Sequence, residues 1–193
     1  MPDGASREAF ADRYLNDLAA LLARVPREPL ARALAVFEAA LAEGRTVFLA
    51  GNGGSAATAS HMANDLLAGV AKHGGRGLRA ISLADGLPVI TAIANDESYD
   101  EIFATQLRVL ARPGDVLAVF SGSGKSPNIV HAMEVARQMA LTTVAFLGMD
   151  GGKVAPLAHV AVIVPSNDYG PIEDIHMAFD HLITEHLRRC QRA

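Results

Sequence analysis

Two short apolar runs in this chain, residues 46–50 (TVFLA) and 116–120 (VLAVF), each end in a turn rich in glycine or serine and then open into a segment of helical periodicity. A run of β-formers that is apolar at every position suits a strand covered on both faces. A strand that leads through glycine into a helix is half of a βαβ unit, so the fold is constrained to a parallel sheet sandwiched between helices. Residues 79–83, 142–147 and 159–164 read as further strands, and residues 55–70, 88–94, 99–110, 127–139 and 172–189 as helices. Ahead of the first strand, helical spacing over residues 7–43 is punctuated by Pro26 and Pro29, which predicts two helices joined by a short turn. The expectation is an α/β three-layer sandwich with an N-terminal helical hairpin and a long C-terminal helix. Its 193 residues suit one domain spanning residues 1–193, with residues 1–44 contributing to an oligomer interface.

Half the residues are apolar, yet no run approaches the roughly 18 needed to span a bilayer, so no membrane partner is expected. The first ten residues, MPDGASREAF, lack the cationic and apolar blocks of an export signal, and the expected location is cytoplasmic. A net charge of −4 without a basic stripe argues against a nucleic-acid partner. The single cysteine, Cys190, excludes an internal disulfide and a cysteine-based zinc site, and reads as an incidental thiol.

The two turns carry the first chemical signal. In parallel α/β sheets ligands bind beyond the carboxyl ends of strands, where helix N-termini present unpaired N–H groups and partial positive charge. Gly51-Asn52-Gly53-Gly54-Ser55 allows close backbone approach and offers the Ser55 hydroxyl. Ser121-Gly122-Ser123-Gly124-Lys125-Ser126 places three hydroxyls around two glycines, which suits a phosphate cradle. It is not a Walker A loop, because Val119 occupies the place of the first glycine. A dinucleotide loop at residues 51–56 competes only if Ala56 substitutes for the last glycine.

The second signal is a set of histidines and carboxylates. His61 and Asp65 lie four apart on one helical face, a spacing that serves either a metal pair or an acid/base pair. The last helix carries Glu173, Asp174, His176, Asp180 and His181 within three turns. A histidine beside a carboxylate is what proton transfer next to a carbonyl requires, one group for the C–H proton and one for the oxygen.

With AGNGGSAATASH at residues 50–61, TAIAND at 91–96, SGSGKSPN at 121–128 and the tail PSNDYGPIEDIHMAFDH, the chain resembles the SIS (sugar isomerase) domain family over nearly its whole length, and within it the phosphoheptose isomerases. The resemblance implies a five-stranded parallel sheet, a homotetramer with active sites between subunits, and a sugar-phosphate substrate, sedoheptulose 7-phosphate, isomerised for heptose synthesis. It assigns phosphate binding to Ser121, Ser123 and Ser126 with Gly122. Asn52, Gly53, Ser55, Asn95, Asp96, Asp168 and Glu173 complete the substrate-binding set. It assigns catalysis to Asp65 and His181, and implies a zinc ion (Zn2+) on His61, Asp65, Glu173 and His181. The sequence departs from the family at Asp65 and Glu173, where relatives carry Glu and Gln, and at Thr58, commonly Asp. Two other readings stand beside this one: an isomerase for a different ketose phosphate, and a non-catalytic SIS regulator that senses a sugar phosphate or binds a replication partner.

Overall fold

The computed structural model describes residues 6–191. Two helices, α1 (Arg7–Arg24) and α2 (Arg27–Glu43), precede β1 (Thr46–Ala50), and α3 (Gly54–Asn64) follows it. Then come β2 (Arg79–Ser82), α4 (Leu87–Asp96), α5 (Ala104–Leu110), β3 (Val116–Ser121), α6 (Pro127–Gln138), β4 (Thr142–Leu147), β5 (Val160–Ile163) and α7 (Tyr169–Cys190). Every strand pairing is parallel, in the order β2-β1-β3-β4-β5. The expected five-stranded three-layer architecture is therefore the one found.

Alternate residues of each central strand feed two separate cores, as the period of two along a strand requires. Val47, Leu49, Ala118, Phe120, Val144 and Phe146 pack with α2, α3 and α7 on one face. Phe48, Ala50, Leu117, Val119, Ala145 and Leu147 pack with α5 and α6 on the other. This is why residues 46–50 and 116–120 are apolar throughout. Burying one such Phe contributes about 1.5–3 kcal/mol. The register of β1 on β3 is held at its lower end by buried Asp115, whose carboxylate accepts from the backbone N–H of Thr46 (2.8 Å) and of Arg112 (2.9 Å).

The strand order reverses direction between β1 and β3, which opens a crevice at the carboxyl ends of those two strands. Both glycine-serine turns lead into that crevice. Two expected helices are interrupted. The segment expected at 99–110 is a 3-10 turn, Tyr99–Glu101, followed by α5. The segment expected at 55–70 changes to a π-helical turn at Asp65–Gly69, closed by the Val70 N–H donating to the Asp65 carbonyl at 2.8 Å. Among the described residues no helix is long and apolar enough to cross a membrane.

Candidate active site

The crevice holds a cavity of about 220 Å³ lined by Asn52, Ser55, Phe120, Ser121, Gly122, Ser123, Ser126, Tyr169 and Glu173. Seven of these residues were expected at a substrate from the sequence: Asn52, Ser55, the three loop serines, Gly122 and Glu173. Their loop is built mainly from its own backbone. Ser121 Oγ accepts from Gly124 N–H (3.1 Å) and Ser123 Oγ from Lys125 N–H (3.3 Å). Gly124 has φ +61°, and a Cβ there would stand 2.1 Å from the Gly151 carbonyl oxygen, so only glycine fits. Ser126 occupies the N-cap of α6 without making a side-chain cap bond, and Pro127 follows as the first helical residue. The N-terminus of α3 opens at the same cavity from Gly53, again without a side-chain cap. Two helix N-termini and the loop N–H groups therefore converge on one polar cavity, the arrangement that binds a phosphate dianion. Asn52 and Asn128 exchange two amide hydrogen bonds of 2.9 Å across the crevice, and Tyr99 donates to Asn52 Oδ1 at 3.2 Å.

The second group lies further along α3 and α7, which pack side by side. His61, Asp65, Asp180 and His181 bring one donor atom each within 4.8 Å of one another. Nε2 of His61 faces Nε2 of His181 at 3.4 Å, with Asp65 Oδ2 at 3.7 Å and Asp180 Oδ2 at 3.8 Å. Asp65 opens the π turn, the kind of local widening that re-aims a side chain at functional sites. Asp180 is fully buried, and its Oδ2 has no hydrogen-bond partner. Burial, with the Asp65 carboxylate beside it, pushes the Asp180 pKa up to about 6. Two imidazoles and two carboxylates, one with an unpartnered buried oxygen aimed at them, fit the donor set and charge of a divalent zinc site.

The expected set is gathered in part: His61, Asp65 and His181 stand together. Glu173, eight positions and about 12 Å of helix before His181, is not among the gathered donors. Its carboxylate lies instead under the first turn of α3, where a Cβ on Gly54 would be 2.4 Å from Glu173 Oε2. A negative charge at a helix N-terminus is favourable there. Asp180 is the fourth member of the group. The sequence carries a signal for it: Asp180 falls on the face of α7 that also carries buried His176, Thr184 and Leu187.

Other expected residues are placed as follows. Gly53 is the N-cap of α3. Asp168 caps α7, its carboxylate accepting from Gly170 N–H at 3.3 Å. Asn95 and Asp96 are exposed at the end of α4, hydrogen-bonded to each other, and do not line the cavity. Thr58 is buried, with its hydroxyl donating to the Gly54 carbonyl, so no charge is introduced there. Three lining or bridging residues escaped the sequence reading, Phe120, Asn128 and Tyr169. Phe120 read as strand core and Tyr169 as part of the segment ahead of the last helix, and Asn128 gains its role only from the pairing with Asn52.

A family model described as the SIS domain matches residues 13–148. A phosphoheptose isomerase of Aliarcobacter butzleri is 41% identical over 159 residues, covering 82% of this chain and 84% of that protein. One of Paramagnetospirillum magneticum is 39% identical over 181 residues, covering 92% and 94%. Among solved structures, a phosphoheptose isomerase from Francisella tularensis superposes with a TM-score of 0.86 at 25% identity, covering 96% of this chain and all of that one. The phosphoheptose isomerase from Neisseria gonorrhoeae gives a TM-score of 0.86 at 28% identity, covering 94% and 98%. The cavity, the His/Asp group and these likenesses agree: the chain belongs to the SIS domain family and, within it, to the phosphoheptose isomerases.

Proposed function

We propose that the chain is an aldose–ketose isomerase converting sedoheptulose 7-phosphate to D-glycero-D-manno-heptose 7-phosphate through a cis-enediol. The observation that carries this reading is that one pair of helices, α3 and α7, presents Ser55 and Glu173 to an anion-binding cavity and, two turns on, gathers His61, Asp65, Asp180 and His181. The loop serines and the α6 N-terminus hold the phosphate, while Asn52 and Ser55 meet sugar hydroxyls. A seven-carbon chain with bonds of about 1.5 Å is long enough to reach from that cavity toward the His/Asp group.

There Asp65 removes a proton from C1 of the open-chain ketose as His181 donates one to the C2 carbonyl oxygen, which leaves the enediol. Return of the proton from Asp65 to C2, with transfer of the O1 proton to His181, completes the aldose and resets both groups. Phosphate binding, remote from C1 and C2, orients them for this transfer. We assign the metal as zinc, held by His61, Asp65, Asp180 and His181; when bound it supplies Lewis-acid stabilisation of the developing enediolate charge.

The proposed assembly is a cytoplasmic homotetramer of single-domain chains. Its support is α4, which buries none of its residues and exposes Leu87 and Val89, together with Phe10 and Leu15 exposed on α1. In that assembly Asn95 and Asp96 serve a site in a neighbouring subunit. The test is substrate profiling with sedoheptulose 7-phosphate, fructose 6-phosphate and ribulose 5-phosphate. Preference for the seven-carbon ketose is expected; preference for a shorter one would replace the substrate and keep the reaction class.

A further inference from the structure

At the far end of α7 from the substrate cavity, three donors of different kinds come together. Nε2 of His186 is hydrogen-bonded to Oε1 of Glu38 on α2, and Sγ of Cys190 lies 3.5 Å from that nitrogen and 4.0 Å from that oxygen. All three donor atoms fall within 4.8 Å of one another. His186 and Cys190 are four apart on α7 and so share a face, which α2 covers with Glu38.

We propose that Glu38, His186 and Cys190 form a second metal site, for a borderline divalent cation such as Zn2+ or Co2+. A tetrahedral zinc ion with bonds of about 2.0–2.3 Å sets its donors about 3.3–3.6 Å apart. The two sulfur distances are within about half an ångström of that, and the Glu38–His186 contact need only open. A thiolate and a carboxylate with a neutral imidazole supply two negative charges against two positive ones. Coordination releases the thiol proton to solvent. Glu38 and His186 are partly exposed and Cys190 is exposed, so an ion enters from solvent and water completes the fourth position. Cys190 then has a role in place of the incidental one read from the sequence. The site ties α2 to the C-terminal end of α7 and stabilises the folded chain by mass action. It is independent of the isomerase reading.

Because Cys190 is the sole cysteine, a thiolate-to-Co2+ charge-transfer band reports this site and no other. Titrating the full-length, metal-stripped protein with Co2+ is expected to raise that band to saturation by two equivalents per chain in the wild type, where the His/Asp group takes the other ion, and to leave the band at full height in His181→Ala. Cys190→Ser removes the band. His186→Asn and Glu38→Gln each shift its titration midpoint by about tenfold or more. Absence of the band in the folded wild type, or a midpoint unmoved in both His186→Asn and Glu38→Gln, would leave an ion pair beside a bystander thiol and overturn the proposal.

Discussion

At the N-terminal ends of α3 and α6 the polar groups of the cavity already have partners: Asn52 and Asn128 bond each other, and Ser121 and Ser123 accept from their own loop. Two turns further along α3, and on the facing stretch of α7, four titratable side chains crowd together. His61 and His181 face each other nitrogen to nitrogen, and Asp180 buries an unpartnered oxygen. On the proposed function the first region holds the phosphate and spreads that task over several groups. The second, on the proposed function, concentrates the chemistry in side chains gathered around one unpartnered buried oxygen. Binding is therefore distributed and chemistry concentrated.

That contrast is sharpened most by His181→Ala, expected to lower kcat by roughly 10²–10⁴ while leaving KM within a few-fold. A change confined to KM would break the division between the regions. Ser123→Leu fills the loop and is expected to lower kcat/KM about 100-fold, through kcat as well as KM, since a misplaced phosphate misplaces C1 and C2. Steady-state kinetics on both variants decide the matter.

Between the two regions lies His176, buried against Phe120 and Phe179, where burial holds its pKa down to about 4. A histidine depressed in the folded state contributes stability that is present above its ordinary pKa of 6.5 and is lost as pH falls toward 4. Between pH 7 and pH 5 this amounts to roughly 2 kcal/mol. Urea midpoints of His176→Phe are expected to lack that part of the wild-type pH dependence, and an unchanged dependence would place its source elsewhere. The smallest effect is expected from Lys125→Ala. Its ion pair with Asp150 is exposed, so the urea midpoint should not move, in keeping with a loop held by backbone.

Much of this was legible in the sequence because burial on both faces writes itself as unbroken apolar runs. Strands β1, β3 and β4 fall where those runs do, and the glycine-serine turns fall at their ends. What the sequence did not carry is what depends on neighbours distant in the chain. The clamp of Asp115 on Thr46, the Asn52–Asn128 pair and the strand order that sets β1 beside β3 all join residues about 70 or more apart. The π turn at Asp65 was hidden as well, since an Ala- and Leu-rich segment reads as continuous α-helix. The presence of Asp180 in the His/Asp group follows from the same limit. Its part shows only once His61 is known to face His181.

The measurement that bears most directly on the account is turnover of sedoheptulose 7-phosphate in deuterated water, followed by proton NMR, using metal-stripped protein with and without added zinc. The account predicts zinc-restored conversion to the aldose phosphate, with deuterium entering at C2 to the extent that the proton on Asp65 exchanges with solvent before its return. Absence of conversion in both states would contradict it.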